Sequence, residues 1–254
     1  MRPPPYPPPE GEGKFRAFRV GVGGPVGSGK TALIEQLVPR LVALGRSVVV
    51  VTNDIFCRED EMHMRAALDG IIDQTRIVGV ETGACPHTAV REDPSMNLAV
   101  LEELEAAHPE TDYAFIESGG DNLTLTFSPE LVDWYLYVID VAAGDKIPRK
   151  RGPGLIQADL LVINKVDLAA HVGADLGVME RDSRALRGNR PLLFTNCRRA
   201  EGIEAVIEEL ERSRTGPHPA HAGNPATLTT LAPRKRGRVN EVQWGSEMTG
   251  AHGH

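Results

Sequence analysis

The chain has 254 residues, enough for one large domain or two small ones, and is 41% hydrophobic and 25% charged. Its formal net charge of −7 argues against a general nucleic-acid binder, because an acidic body repels the phosphate backbone. No apolar run approaches the roughly 20 residues of a membrane span. Three cysteines and no recognisable signal segment favour a reducing cytoplasm over a disulfide scaffold.

Apolar runs alternate with amphipathic stretches from residue 15 to residue 212. The predicted strands are 18–23, 47–52, 76–80, 113–117, 134–140, 159–163 and 191–195. Most are continuous apolar runs, which are typical of strands buried on both faces of a parallel sheet. The predicted helices include 31–44, 94–107 and 201–210, and Pro39 is expected to kink the first or end it early.

This order predicts an α/β fold of three layers, a mainly parallel central sheet of about seven strands flanked by helices. Residues 15–212 are expected to form the single domain. The proline-rich segment 1–14 and the tail 213–254, with its histidines and arginines, are predicted to be disordered extensions because they hold few apolar residues. In such a fold, ligands bind at the carboxyl ends of the strands.

A phosphate-binding loop follows the first predicted strand. Its residues are Gly24, Pro25, Val26, Gly27, Ser28, Gly29, Lys30 and Thr31. This is the P-loop pattern G-x-x-x-x-G-K-[ST] between a strand and a helix, in which glycines let backbone N–H groups approach phosphates closely. We expect Lys30 to reach the β- and γ-phosphates and the Thr31 hydroxyl to hold Mg²⁺.

A guanine-binding motif follows the sixth predicted strand, at Asn164-Lys165-Val166-Asp167. The Asp167 carboxylate is suited to accept hydrogen bonds from the guanine N1–H and its exocyclic amine. Adenine has no donors at those positions and would leave the carboxylate unpaired. The loop after the seventh strand, with Thr195 and Asn196, is predicted to close the base pocket, so that GTP is the expected nucleotide.

Three carboxylates come directly after predicted strands: Asp54, Glu81 and Glu117. Carboxyl ends of parallel strands share one edge of the sheet, so these groups are expected to converge on the nucleotide site. We predict Asp54 and Glu81 as Mg²⁺ ligands with Thr31. Glu117 is expected to act, with Lys30 and Asp54, in catalysis.

Cys85-Pro86-His87 places a thiol and an imidazole close together, and both are metal ligands. Two ligands are half a site, and a two-fold dimer would bring two copies together as an S₂N₂ set suited to Ni²⁺ or Zn²⁺. Taken alone, the pair is also compatible with a purely structural role.

Nine segments together carry a resemblance that extends from about residue 19 to residue 210. They are Gly-Gly-Pro-Val-Gly-Ser-Gly-Lys-Thr (23–31), Thr-Asn-Asp-Ile (52–55), Glu-Asp (59–60), Val-Glu-Thr-Gly-Ala-Cys-Pro-His-Thr-Ala-Val-Arg-Glu-Asp (80–93), Glu-Ser-Gly-Gly-Asp-Asn-Leu (117–123), Phe-Ser-Pro-Glu-Leu (127–131), Asp-Lys-Ile-Pro-Arg-Lys (145–150), Gly-Pro-Gly (152–154) and Val-Ile-Asn-Lys-Val-Asp-Leu (162–168). This series resembles the UreG family of urease accessory proteins, which are SIMIBI-class P-loop GTPases. Arg151 departs from the family pattern, which more often has glycine there.

The resemblance implies a GTPase and nickel metallochaperone that supports nickel insertion into urease. Slow intrinsic hydrolysis is expected because the sequence shows no clear water-positioning group or arginine finger, for which Arg58 and Arg149 are the only candidates. It implies Cys85 and His87 as the nickel ligands, with Zn²⁺ as the alternative metal. It also implies a homodimer when GTP, Mg²⁺ and metal are bound, and a complex with other urease accessory proteins and apo-urease. Neither nucleic acid nor membrane is an expected partner.

Three other readings remain open on the sequence. A hydrogenase-type nickel metallochaperone would share the phosphate loop and the guanine motif. A small-molecule kinase would use the same scaffold but would prefer ATP. A scaffold protein would bind the nucleotide without turnover.

Overall fold

The structure is a computed structural model that describes residues 16–54, 59–82, 88–120 and 123–215. Its centre is one seven-stranded sheet in the order β3-β2-β4-β1-β5-β6-β7, with every neighbouring pair parallel. The strands are β1 Phe18–Gly23, β2 Val48–Asp54, β3 Ile77–Glu81, β4 Tyr113–Glu117, β5 Trp134–Asp140, β6 Leu160–Asn164 and β7 Leu192–Phe194. The predicted fold class and all seven predicted strands are confirmed.

The helices are α1 Lys30–Ala43, α2 Glu59–Ala67, α3 Ser95–Ala107, α4 Pro153–Gln157, α5 Ala169–Val172, α6 Leu176–Arg187 and α7 Ile203–Thr215. A single π-helical turn, Thr88–Glu92, precedes α3. Within the described residues, no helix has both the length and the apolar character that a membrane crossing requires.

Two apolar cores lie on opposite faces of the sheet, and β2 shows why. Its valines alternate, so that Val48 and Val50 pack with α1, α2 and α7, whereas Val49 and Val51 pack with α3, α4 and α6. Because both faces are covered, the strand is apolar at every one of these positions. The result is the predicted three-layer arrangement.

Two outcomes were predicted for Pro39, a kink or an early end of α1, and the early end does not occur, since the helix continues to Ala43. Proline inside a helix removes one backbone hydrogen bond and costs about 3 kcal/mol. Leu37, Val38 and Leu41, on both sides of Pro39, are all buried. Burying each such side chain contributes about 1.5–3 kcal/mol, which offsets that cost.

A buried arginine fastens α6 to the edge of the sheet opposite the strand carboxyl ends. Arg187 is 5% exposed, and its guanidinium donates to the backbone carbonyls of Leu155, Ala158 and Pro191. These carbonyls lie shortly before β6 or β7 begins. Burial lowers the pKa of Arg187 to about 10, which still leaves the group charged at neutral pH.

The strand order places β1 between β4 and β5, with later strands to either side. In open parallel sheets, a ligand crevice forms beyond the carboxyl ends of strands at such a reversal of order. The loop from β1 to α1 begins at this reversal, and the neighbouring strand β4 ends there. A ligand site is therefore expected at residues 24–31 and Glu117.

Candidate functional site

The loop between β1 and α1 is shaped by glycines at positions where other residues are strained. Gly24, Gly27 and Gly29 have φ of +147°, +75° and +98°. A Cβ on Gly24 would also lie 2.1 Å from the carbonyl oxygen of Val138. Gly29 caps the N-terminus of α1 without a side-chain hydrogen bond, and the first turn holds no acidic residue. The first N–H groups of α1 are therefore suited to an anion such as a phosphate.

Lys30 supplies the positive charge of this loop. Its side chain is buried, and Nζ donates to the carbonyl oxygens of Gly24 at 3.0 Å and Pro25 at 3.3 Å. The ammonium group is thus held inside the curve of the loop. Ser28 Oγ is also buried, with no hydrogen-bond partner among the described residues. A phosphate oxygen could pair with both groups.

Glu117, at the end of β4, meets the phosphate loop at Thr31. The Thr31 Oγ1 hydroxyl donates to Glu117 Oε1 at 2.7 Å, and Glu117 is 2% exposed. Burial raises the pKa of Glu117 to about 7, although the charge of Lys30 and the Thr31 hydrogen bond act to lower it. Glu117 Oε2 is buried and has no hydrogen-bond partner within the described part of the chain. Two hard oxygen donors side by side fit Mg²⁺.

The other two predicted carboxylates lie on the neighbouring strands. Asp54 ends β2 and is paired in register with Glu81, which ends β3. Thr52, two residues earlier in β2, is paired with Glu117. Asp54 and Glu81 are therefore brought together at the predicted edge, but Glu81 lies two strands away from Glu117.

Within the ranges that the structure describes, no three His, Cys, Asp or Glu side chains form a ready metal site. Mg²⁺ usually takes one or two protein oxygens and fills its remaining positions with phosphates and water. A further acidic residue, to which the sequence analysis gave no site role, is Asp60 in α2. Burial, and then the charge of Asp54, raise its pKa.

Asn164, at the end of β6, joins the phosphate loop to the loop that follows β7. It is 2% exposed, and its Nδ2 donates to the Ser28 carbonyl at 3.0 Å. Its Oδ1 accepts hydrogen bonds from Thr195 Oγ1 and from the Cys197 backbone N–H, both at 3.1 Å. A Cβ on Gly29 would lie 2.3 Å from Asn164 Nδ2, so this junction also requires glycine in the phosphate loop.

Lys165 extends this junction. It adopts a left-handed φ of +60°, and its Nζ donates to the Gly27 carbonyl and lies 3.4 Å from Asp140 Oδ2. Asp140 ends β5, and its Oδ1 accepts from the backbone N–H of Ala142 at 2.7 Å. The sequence analysis missed Asp140, although its position at a strand end was the signal used for the other carboxylates.

The remaining residues of the predicted base pocket lie around this junction. Asp167 is half-buried in a short 3₁₀ turn directly after β6. Thr195 and Asn196 are buried, and Asn196 Oδ1 accepts from the Arg199 backbone N–H at 3.3 Å. The structure thus places the phosphate loop, Asn164 and Lys165 in direct contact, with Asp167 next in sequence and Thr195 bonded to Asn164.

The predicted metal ligands Cys85 and His87 lie outside the described residues. Cys197, in the loop after β7, is 4% exposed. Burial raises the pKa of Cys197 to about 11, so the thiol stays protonated at neutral pH and is a poor metal ligand.

Comparisons with known proteins identify the family of this domain. A family model described as the CobW/HypB/UreG nucleotide-binding domain matches residues 18–194. The chain is 62% identical over 197 residues to urease accessory protein UreG of Edwardsiella ictaluri (strain 93-146), covering 78% of this chain and 94% of that relative. It is 61% identical over 194 residues to the protein of the same description from Yersinia pestis, covering 76% and 88%.

Solved structures with the same fold are more distant in sequence. The hydrogenase maturation factor HypB from Archaeoglobus fulgidus has a TM-score of 0.61 at 24% identity and covers 77% of this chain and 89% of its own. HypB from Helicobacter pylori, solved in complex with nickel, has a TM-score of 0.64 at 18% identity and covers 78% and 87%. These structures support the fold alone.

Proposed function

The chain belongs to the UreG family of urease accessory proteins, within the CobW/HypB/UreG nucleotide-binding domains, and from this premise we propose that it is a GTP-hydrolysing nickel metallochaperone. It would support nickel insertion into urease in a complex with other accessory proteins. The observation that carries this proposal is the Asn164 junction, which holds the phosphate loop beside the Asn164–Asp167 motif in one site.

Guanine is the base that this motif suits. Asp167, beside Lys165 and directly after β6, can accept from the two donors on the Watson–Crick edge of guanine. The Lys165 stem can lie along the base plane, while Asn164 and Thr195 hold the surrounding loops together. An adenine base would leave the Asp167 carboxylate without donors, which favours GTP over ATP.

Thr31, Glu117 and Asp54 are the residues we propose around Mg²⁺, with Glu81 the more remote predicted ligand. When bound, the ion neutralises charge on the transferred phosphoryl group. Lys30 binds the β- and γ-phosphates, and Glu117 and Asp54 orient the attacking water. Hydrolysis is expected to be slow, because the sequence motifs supply no arginine finger to stabilise the charge of the transition state.

Nickel is the proposed cargo, held by Cys85 and His87 from each subunit of a homodimer. The S₂N₂ set suits square-planar Ni²⁺, and Zn²⁺ is the competing ion. GTP binding would favour the dimer, and apo-urease with other accessory proteins would receive the metal. A cytoplasmic location is part of the proposal, in line with the few cysteines, and neither nucleic acid nor a membrane is required.

Nucleotide competition tests the GTP assignment. We expect GTP and GDP, but not ATP, to displace a fluorescent GTP analogue from the wild-type chain. Asp167→Ala should lower GTP affinity about a hundredfold, because two charge-assisted hydrogen bonds are lost. Asp175→Ala, which removes the cap of α6, is the matched control and should leave affinity unchanged. Equal displacement by ATP would contradict the proposal.

Sizing the protein tests the metal assignment. The wild-type chain should form a dimer with Ni²⁺ and a non-hydrolysable GTP analogue together, and remain smaller without them. Cys85→Ala should form this dimer poorly. A Cys85→Ala dimer with unchanged Ni²⁺ content would remove Cys85 from the site.

A further inference from the structure

Two buried asparagines have no role in the site described above. Asn53 in β2 and Asn97 in α3 are both fully buried. Burying an amide side chain is costly unless its polar atoms are hydrogen-bonded.

The pair links the end of β4 to the π-helical turn. Asn53 Nδ2 donates to the backbone carbonyl of Glu117 at 2.9 Å. Asn97 Nδ2 donates both to Asn53 Oδ1 and to the backbone carbonyl of Ala89, each at 2.9 Å. Ala89 belongs to the turn Thr88–Glu92. An unbroken chain of buried hydrogen bonds thus runs from the backbone of a nucleotide-site residue to that turn.

Thr82 makes the corresponding contact on the other flank of residues 83–87. Its backbone N–H and its Oγ1 both donate to the Asp54 carbonyl, at 2.8 and 3.0 Å. The residue before segment 83–87 is therefore bonded directly to the end of β2. The turn after it is bonded to the same strand end through Asn97 and Asn53.

We propose that Asn53 and Asn97, with Thr82 on the opposite flank, are positioning residues that couple the nucleotide site to the loop carrying Cys85 and His87. The idea rests on the proposed function, since it assigns a route for its regulation. Buried hydrogen-bonded pairs adopt discrete arrangements rather than deforming continuously. A shift of the Glu117 strand end on nucleotide exchange is then passed to both ends of the loop.

The amide of Asn97 has a further atom that bears on this role. Its Oδ1 is buried and unpaired within the described residues. Leaving a buried acceptor unpaired is unfavourable, so Asn97 is a poor choice for stability alone. What Asn97 contributes is therefore the pair of hydrogen bonds that its Nδ2 donates to Asn53 and to Ala89.

The test measures Ni²⁺ affinity of the full chain with GDP and with a non-hydrolysable GTP analogue plus Mg²⁺. The ratio of the two affinities is expected to be about tenfold in the wild type, a typical coupling. In Asn97→Ala and Asn53→Ala it should fall below about twofold, and the double variant should add nothing further. Affinity for the GTP analogue should stay within about twofold of wild type. Glu102→Ala, on the exposed side of α3, is the control and should keep the wild-type ratio.

Thr82→Val is the milder second variant, because it keeps the backbone hydrogen bond to Asp54 and removes only the hydroxyl. Its ratio should fall between those of wild type and Asn97→Ala, and hydrogen exchange of the 83–92 peptide should lose part of its nucleotide dependence. A wild-type ratio retained in both Asn97→Ala and Thr82→Val overturns the coupling route and leaves the proposed function intact. A ratio of one in the wild type itself overturns both.

Discussion

The buried carboxyl of Glu117 should make the free protein less stable as the pH rises. Its pKa is raised by burial from the ordinary 4.5 to about 7, so folding favours the protonated form. The stability that this group contributes is fully present below pH 4.5 and is lost as the pH rises through 7. The gap between the two pKa values corresponds to about 3 kcal/mol, and Glu117 is too buried for solvent to screen much of it.

Glu117→Gln keeps the shape of the side chain and stays neutral at every pH. In buffer with EDTA and no nucleotide, we expect the variant to gain about 2–3 kcal/mol over wild type between pH 5 and pH 8. Urea unfolding at pH 5, 6, 7 and 8 measures the free energy of unfolding of both proteins. The same variant should lose Mg²⁺-dependent GTP binding, since a neutral amide is a poor partner for a divalent cation.

Glu102→Gln is the control, because Glu102 is exposed and its neutralisation should change stability equally at all four pH values. The argument would be refuted if the difference between wild type and Glu117→Gln did not grow with pH. That result would mean that the Glu117 carboxyl ionises in the folded protein as readily as in water.

Three further substitutions test one contact within the site, one buried contact far from it and one strained backbone position. Asn164→Ala should destabilise the fold by about 2–4 kcal/mol in urea unfolding and lower GTP affinity at least about tenfold, because it leaves buried polar groups of two loops unpaired; unchanged stability would contradict the junction. Arg187→Met should cost about 3 kcal/mol with unchanged GTP affinity, since Arg187 lies at the opposite edge of the sheet; a matching loss of affinity would speak against that separation. Arg151→Gly should raise the melting temperature by relieving a left-handed φ of +56°, a gain of about 0.5–1 kcal/mol.

Local sequence patterns were enough to predict most of the sheet and the phosphate loop of the site. The valine run of β2 carries its own signal, because a strand covered on both faces is apolar at each position. The P-loop motif likewise gathers its glycines, Lys30 and Thr31 into one continuous stretch. The departure from the family pattern at Arg151 could also be seen in the sequence, and the left-handed backbone at this residue explains why glycine suits the position.

Contacts between distant segments could not be predicted in the same way. Helix α2 was missed because its nine residues are mostly polar, and only Glu61 and Met64 are buried. Asn53 and Asn97 are far apart in the chain, so their pairing depends on how α3 packs on the sheet. Pro39 does not end α1 early because its cost is local, whereas the burial that offsets this cost comes from tertiary packing.

The Asn164 junction has a consequence for the kinetics of nucleotide exchange. Its hydrogen bonds join protein atoms to one another, so the phosphate and base loops need no ligand group to hold them together. A binding surface that is already ordered loses little entropy when it is filled. Association rates should therefore differ little among guanine nucleotides, and the preference for one over another should be expressed in how long each stays bound.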